Sequence, residues 1–282
     1  MNYKNSLLSK KMFVKMVNNF FLCIGIIGSA VTIVSVAFTG SLNYGWNGII
    51  CILLLSIVIS FFLSFPRIKF SKNFSCPDTR ITVKVGDIFT QNNHLVIGFS
   101  DTFDTEIGDI ISATSIQGQF LTKIYQNNRG RLDQEISTAL EDKNFIEDTS
   151  KKIGKNKRYD VGTTITLNGL NRKFFCCAYS KMGSNLKAIS DIKNLLISLQ
   201  NLWEEIRIQG EQKAVVMPVI GTNLSRISGI SYKFPIYLIF LSFIINSRIQ
   251  PIAKELILMI GDKDMEKINL IEIRDFVESL DK

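Results

Sequence analysis

Four short stretches of this 282-residue chain set small polar side chains, acids and glycine directly behind apolar runs. The first is Val85-Gly86-Asp87-Ile88-Phe89. An aspartate just past a strand can accept a hydrogen bond from an exocyclic amine, and the amides of Ile88 and Phe89 can reach phosphate. Gly-Asp is equally at home in a plain turn. The second runs from Gly98 to Thr105, where Asp101, Thr102 and Asp104 can bind ribose hydroxyls or a cationic group, or simply cap a helix. The third, Ser115-Ile116-Gln117-Gly118-Gln119-Phe120, opens a predicted helix whose first amides suit an anion. The fourth is Pro218-Val219-Ile220-Gly221-Thr222-Asn223-Leu224-Ser225-Arg226. Backbone amides from Gly221 to Leu224 can cradle a pyrophosphate, with Arg226 adding charge. It is not a Walker loop, because GxxxxGK[ST] is absent.

Other chemistries have no residues to run on. His94 is the single histidine, which excludes a multi-histidine metal site and leaves no Ser-His-Asp arrangement to assemble. It opens a strand-like run and reads as structural. The five cysteines form no CxxC, and Cys176 and Cys177, adjacent in a strand-like run, point to opposite faces. A disulfide framework or zinc site is not expected, and a reducing compartment fits. The net charge of +8 is concentrated around apolar segments, so nucleic acid is not its expected partner.

The four stretches need elements to position them, and the hydrophobic pattern supplies these. Residues 81–85, 94–99, 213–220 and 255–260 read as strands. Residues 162–167 and 172–179 form a hairpin around Asn168-Gly169. Helices are expected at 116–125, 132–140, 190–207 (capped by Ser190), 232–248 (Pro235 in its first turn) and 264–280. The apolar stretch 234–245 could be taken for a membrane span, but about 12 residues suit a buried core helix better. Strands alternating with helices predict an α/β domain of three layers, a central mixed sheet with helices on both faces. Such sheets bind ligands in the loops at the carboxyl ends of their strands.

The mean hydropathy of +0.18 hides a very apolar amino-terminal part. Residues 20–39 and 48–65 are uncharged and each close to the ~20 residues that cross a ~30 Å hydrocarbon layer. A cleaved leader is the competing reading of the first run, which is too long for one and is followed at once by a second run. Lys4, Lys10, Lys11 and Lys15 precede the pair, and Arg67, Lys69, Lys72 and Arg80 follow it. Positive charge stays inside, so the expectation is a multi-pass protein of the cell (inner) membrane with both termini cytoplasmic. The divisions are a basic amino-terminus (1–19), two transmembrane helices (20–39 and 48–65) around a short external loop (40–47), a basic connector (66–80) and the α/β domain (81–282). Gly25, Gly28 and Ser29 could form a close-packing helix face. With no charge in either run, a pore would need several copies.

Taken together, the four loops resemble those of a macro domain, the ADP-ribose-binding fold. Val85-Gly86-Asp87-Ile88 matches its opening Gly-Asp-Ile, Ser115–Phe120 stands where it has a glycine-rich loop, and Pro218–Asn223 resembles its phosphate loop. The resemblance implies a three-layer macro-like domain, an adenine held by Asp87, and ligand contacts from Ile88, Phe89, Asp101, Thr102, Asp104, Gln117, Gly118, Gly221, Thr222, Asn223, Leu224 and Arg226. Where hydrolytic members carry Asn-Ala-Ala-Asn, this chain has Gly98-Phe99-Ser100-Asp101, which implies binding rather than catalysis. The whole layout, with its GDIFTQN, DTFDTE and SIQGQFL runs, resembles the membrane–macro effectors of type II Thoeris anti-phage defence. That resemblance implies a signal derived from ADP-ribose, histidine-linked in those systems and made by a TIR-domain partner, with Asp101 or Asp104 meeting its extra amino group. It further implies a homo-oligomer acting on the lipid bilayer to cause abortive infection, and no metal or other cofactor. The alternative is a membrane-anchored ADP-ribose hydrolase or deacetylase.

Overall fold

Two compact units divide the chain, residues 1–67 and 68–282, in the computed structural model. The structure describes residues 10–37, 45–64, 69–169, 171–221 and 231–281. Most of the expected external loop, the end of the second apolar run and the start of the connector lie outside them. So do Thr222, Asn223, Leu224 and Arg226.

The first unit is a pair of helices, α1 (Lys10–Ala37) and α2 (Gly45–Ser64). Both are long and apolar enough to cross a membrane, over Met16–Ser35 and Trp46–Leu63. The seam between them buries the small or polar side chains Cys23, Ser56 and Ser60, and the Ser60 hydroxyl donates to the Met16 carbonyl. Phe21, Ile26, Ile33, Leu54 and Phe62 point outward, the reverse of a water-soluble helix pair. The close-packing face expected at Gly25, Gly28 and Ser29 is not used within this pair. A Cβ on either glycine would meet nothing within 4 Å, and Ser29 returns its hydroxyl to the Gly25 carbonyl.

The second unit is built on a mixed sheet in the order β1-β2-β10-β9-β3-β7-β6. Its parallel centre is β2 (Thr79–Val85), β10 (Glu255–Ile260), β9 (Val215–Pro218), β3 (His94–Ser100) and β7 (Lys173–Met182). The edges β1 (Lys69–Phe74) and β6 (Thr164–Asn168) run antiparallel, and β8 (Ala188–Ile189) pairs the end of β7. Side chains alternate along the central strands, so each strand feeds two cores. Val96, Phe175, Cys177 and Leu258 pack under α5 (Ile192–Gln209), α6 (Lys233–Ile249) and α7 (Leu270–Ser279). Ile97, Phe174, Cys176 and Ile257 pack under α3 (Ile116–Lys123) and α4 (Arg129–Ala139). The two adjacent cysteines thus enter different cores, as their alternation predicts, and burial pushes the Cys177 thiol up to about 12. A small separate sheet pairs β4 (Phe145–Glu147) with β5 (Lys157–Tyr159).

Three expectations change. Residues 69–74 belong to the sheet and not to a connector: Phe74 is buried and Phe70 half-buried on one face, where Lys72 lies over the Phe74 ring and pairs with Asp281, while Lys69 on the other face is exposed. Asp191, not Ser190, caps α5, accepting from the Asn194 amide at 2.7 Å; Ser190 donates to the Tyr179 carbonyl instead. The last expected helix is a 3-10 turn, Asp262–Lys267, followed by α7, which Asn269 caps.

Candidate functional site

The chain leaves β3 and β9, which lie side by side, toward opposite faces of the sheet. After β3 it runs over one face through α3 and α4; after β9 it runs over the other through α6. The carboxyl ends of neighbouring strands whose connections part in this way are the usual ligand position in such sheets. The described parts of the first, second and fourth stretches follow β2, β3 and β9 at that end, and the third is tied to the first two through α3.

The first loop is set by backbone geometry. Gly86 has φ +140°, a conformation that side chains resist, and its amide donates to the Ile260 carbonyl at 2.9 Å. Asp87 then caps a short 3-10 turn, Ile88–Thr90, through the Phe89 amide at 2.9 Å. Its other oxygen holds Lys123, whose ammonium lies 5.1 Å from the centre of the Phe89 ring. Burial alone would raise the carboxyl pKa; the hydrogen bonds from Lys123 and the Phe89 amide outweigh it and hold the group below the usual 3.8. Asp87 is therefore an ionised, half-exposed acceptor just past the carboxyl end of β2. Ile88 is buried beneath it and serves the core.

The second loop does not do what its composition suggested. Asp101 and Asp104 were expected to meet a ligand, and both carboxylates turn inward. Asp101 accepts from the Met182 amide and from Arg158, each at 2.8 Å. Asp104 accepts from Lys151, from the Lys155 amide at 2.6 Å and from Thr102, itself buried. The Lys151 ammonium is also held by the Lys155 carbonyl at 2.7 Å, and the side chains of this ion pair are each only 2% exposed. The cations come from one segment, 148–158, which straps across the loop. Asp148 anchors the strap: a hydrogen bond from Ser150, then one from Arg158, bring its pKa down to about 2. Phe103, between the two acids, sits at φ +47°, a costly conformation for a bulky residue. It is held there by the Phe99 and Tyr159 rings and by Lys155 on its carbonyl.

The strap depends on one glycine. Gly154 has φ +80°, and a Cβ there would run into the Asp104 carboxylate. Gly154→Ala is expected to lower stability by about 1–3 kcal/mol, combining the cost of a left-handed alanine with a displaced buried acid. Chemical denaturation of wild type and variant measures it.

The third stretch links the first two. Ser115 caps α3 by accepting from the Gly118 amide at 3.0 Å, so that amide is not free for an anion as the sequence suggested. Gly118 itself packs against the backbone of Ser112 and Ala113, where no side chain fits. The Gln117 side-chain Nε2 donates to the Asp104 backbone carbonyl, and Lys123 at the other end of α3 reaches Asp87. One eight-residue helix thus ties both loops together. Of the fourth stretch the structure describes the strand end and Gly221, buried at φ +86°.

His94 lies at the opposite end of β3. Its Nδ1 accepts from the Lys173 amide at 2.9 Å, stitching β3 to β7, and burial pushes its pKa down. It borders a groove of about 980 Å³ with Arg80, Asn92, Lys213, Lys254 and Glu255. That groove opens at the amino ends of the strands, away from Asp87, Asp101 and Gly221 at their carboxyl ends. Its lysines, arginine and acids are mixed, so the carboxyl-end loops are the better candidate. Among the described residues no group of three metal-ligating side chains is placed to hold an ion.

Lys123, Lys151, Lys155 and Arg158 escaped sequence reading. Their signal was present only as cations following an acid-dense loop, with Lys151 standing 47 positions after Asp104.

Comparison with known proteins adds a family. Residues 81–261, more than half of the chain, match the family described as "Thoeris protein ThsA, Macro domain". The chain is 28% identical over 232 residues to the Thoeris protein ThsA of Bacillus amyloliquefaciens (strain Y2), covering 79% of this chain and 76% of that protein. Similar solved structures include an Oceanobacillus iheyensis macrodomain with ADP, at 13% identity and a TM-score of 0.46, covering 75% of this chain and 98% of that one. Another is the macro domain of ganglioside induced differentiation associated protein 2, at 10% identity and a TM-score of 0.45, covering 70% and 84%.

Proposed function

Since the chain belongs to the Thoeris ThsA macro-domain family, we propose that it is a membrane-bound effector of anti-phage defence, with a cytosolic macro domain that binds an ADP-ribose-derived signal. The observation that carries this is the union, in one chain, of the family match over residues 81–261 with two helices able to span a membrane. In this reading Asp87 accepts the adenine amine. Phe89, whose ring already stacks a cation, lies beside the base, and the α3 start together with the loop from Gly221 through Arg226 faces the phosphates. A TIR-domain protein supplies the signal, histidine-linked ADP-ribose. Basic residues on both flanks of the helix pair keep the termini and the domain on the cytoplasmic side. Two helices enclose no channel, so disruption of the bilayer requires several copies.

Asp101 and Asp104 take a new part here. They brace the loop after β3 and do not touch the ligand directly. A hydrolase reading gains nothing from them, because the oxygens that a base would use already hold Arg158, Lys151 and backbone amides.

Dye release from liposomes carrying the full chain tests the proposal. Histidine-linked ADP-ribose is expected to trigger release, and ADP-ribose alone to do so weakly. Release that ignores both nucleotides, or conversion of the nucleotide without release, sinks it.

A further inference from the structure

Lys123 stands in the last turn of α3, where a cation suits the carboxyl end of a helix. Its ammonium does more than that. It donates to Asp87 Oδ2 at 2.5 Å and lies 5.1 Å from the centre of the Phe89 ring. The other oxygen, Oδ1, accepts from the Phe89 amide at 2.9 Å. Among the described residues Asp87 is the one acid that pairs with Lys123, and Lys123 the one cation that pairs with Asp87. A base lying beside the Phe89 ring with its amine on Oδ2 needs the ground that the ammonium holds. The helix is not free to carry the lysine away. Gln117 ties its start to the Asp104 carbonyl, and Gly118 packs on the backbone of Ser112 and Ala113. The side chain is free to turn. The two partners are 40 and 41% exposed, so their pair opens to water at small cost, and a lysine stem is flexible.

We propose that Lys123 decides which adenine compounds bind: it keeps the place of the adenine amine, and only a ligand that brings an anionic group for the displaced ammonium binds at full strength. This rests on the reading that Asp87 accepts that amine. A neutral nucleoside gains a hydrogen bond at Asp87 by breaking an ion pair, and it leaves the lysine in water. A nucleotide makes the same exchange and then meets the freed ammonium with its phosphates, a charge-assisted bond in place of the one lost. Lys123 thus ranks phosphate-bearing ligands above nucleosides, and Asp87 stays neutralised until such a ligand arrives. The size is set by the exposure of the pair. Breaking it costs a nucleoside about 2–5-fold in affinity, and a nucleotide recovers that loss and a similar factor beyond it.

The test titrates the full chain in detergent micelles with adenosine and with ADP-ribose, by ligand-observed NMR and calorimetry. Lys123→Met keeps an apolar stem and removes the charge. It is expected to bind adenosine about 2–5-fold more tightly than wild type and ADP-ribose about 2–5-fold more weakly, so the preference for the nucleotide shrinks about tenfold. Lys123→Arg should keep the preference. Lys213→Met, at the amino ends of the strands, makes the same change of charge and should alter neither affinity. In an Asp87→Ala background Lys123→Met should no longer help adenosine. The two readings fail in different ways. ADP-ribose binding that Asp87→Ala leaves intact overturns the assignment of the adenine to Asp87, and this proposal with it. If Asp87→Ala weakens ADP-ribose binding while Lys123→Met binds adenosine no better than wild type, undetected binding to both included, only the role of Lys123 is overturned. A gain for adenosine that survives in the Asp87→Ala background overturns that role as well, because the lysine then acts elsewhere.

Discussion

Asp104→Ala is expected to lower the stability of the α/β domain by about 3–5 kcal/mol, the cost of leaving a buried charge without its partner. For a domain of this size that is a fall of roughly 6–20 °C in melting temperature. The reasoning is asymmetric. Lys151 and Asp104 are both sealed from water, and each satisfies further groups, Thr102 and the Lys155 backbone on either side. Removing the acid strands an ammonium in apolar surroundings and frees the strap from 148 to 158. Removing both charges at once does neither. Asp104→Leu/Lys151→Met is therefore expected to recover most of the loss. The exposed pair Lys213–Glu211 provides the contrast, because solvent screens it and Glu211→Ala should change little. If Asp104→Ala costs no more than Glu211→Ala, the strap is not a structural clamp.

Asp87→Ala is expected to weaken binding of ADP-ribose compounds by roughly 10–150-fold, the range for losing a hydrogen bond to a charged group. Titration calorimetry of the full chain measures it. The loss should fall mainly on binding, since Asp87 is half-exposed; its cap on the Phe89 amide and its pair with Lys123 are lost with it at a small cost in stability. Its carboxyl pKa is held below 3.8, so this acceptor is ionised at neutral pH and stays so as pH falls. The contribution of Asp87 to affinity should be flat from pH 7 to about 4 and disappear only as pH drops through the lowered value. Unchanged affinity in the variant would move the adenine elsewhere. Lys123 refines the result: it already occupies one oxygen of Asp87, so a ligand amine must share that oxygen or displace the lysine.

The central strands were legible because burial on both faces leaves little but apolar residues. The text His94–Phe99 and the adjacent cysteines report two cores at once. Two long uncharged runs likewise declare their helices. Edge elements were not legible. Lys-Phe-Ser-Lys-Asn-Phe reads as a linker, yet an edge strand needs only two aromatic residues on one face and a neighbour to bond. Strands β4 and β5, three residues each and mostly exposed, carry no periodicity to detect. The loops of the candidate site were legible as loops, and what their side chains hold was not. Asp87, Gln117, Gly118 and Gly221 fall at the carboxyl ends of the sheet, as the loops that hold them implied. Asp101 and Asp104 looked like ligand groups because an acid-rich loop behind a buried strand suits both binding and bracing. The difference lay in cations about fifty residues further on, which only the fold brings near.

The edge strand β1 has a mechanical meaning. Its six residues are laddered to β2 from Lys69 opposite Lys84 to Phe74 opposite Thr79, so the chain enters the domain at the end of the sheet where Gly86 and Asp87 begin. A pull on residue 69 would be felt first by the rung beside the Asp87 loop. If the proposed signal is held at Asp87, its binding and that pull would act on neighbouring backbone, with no path through the core between them.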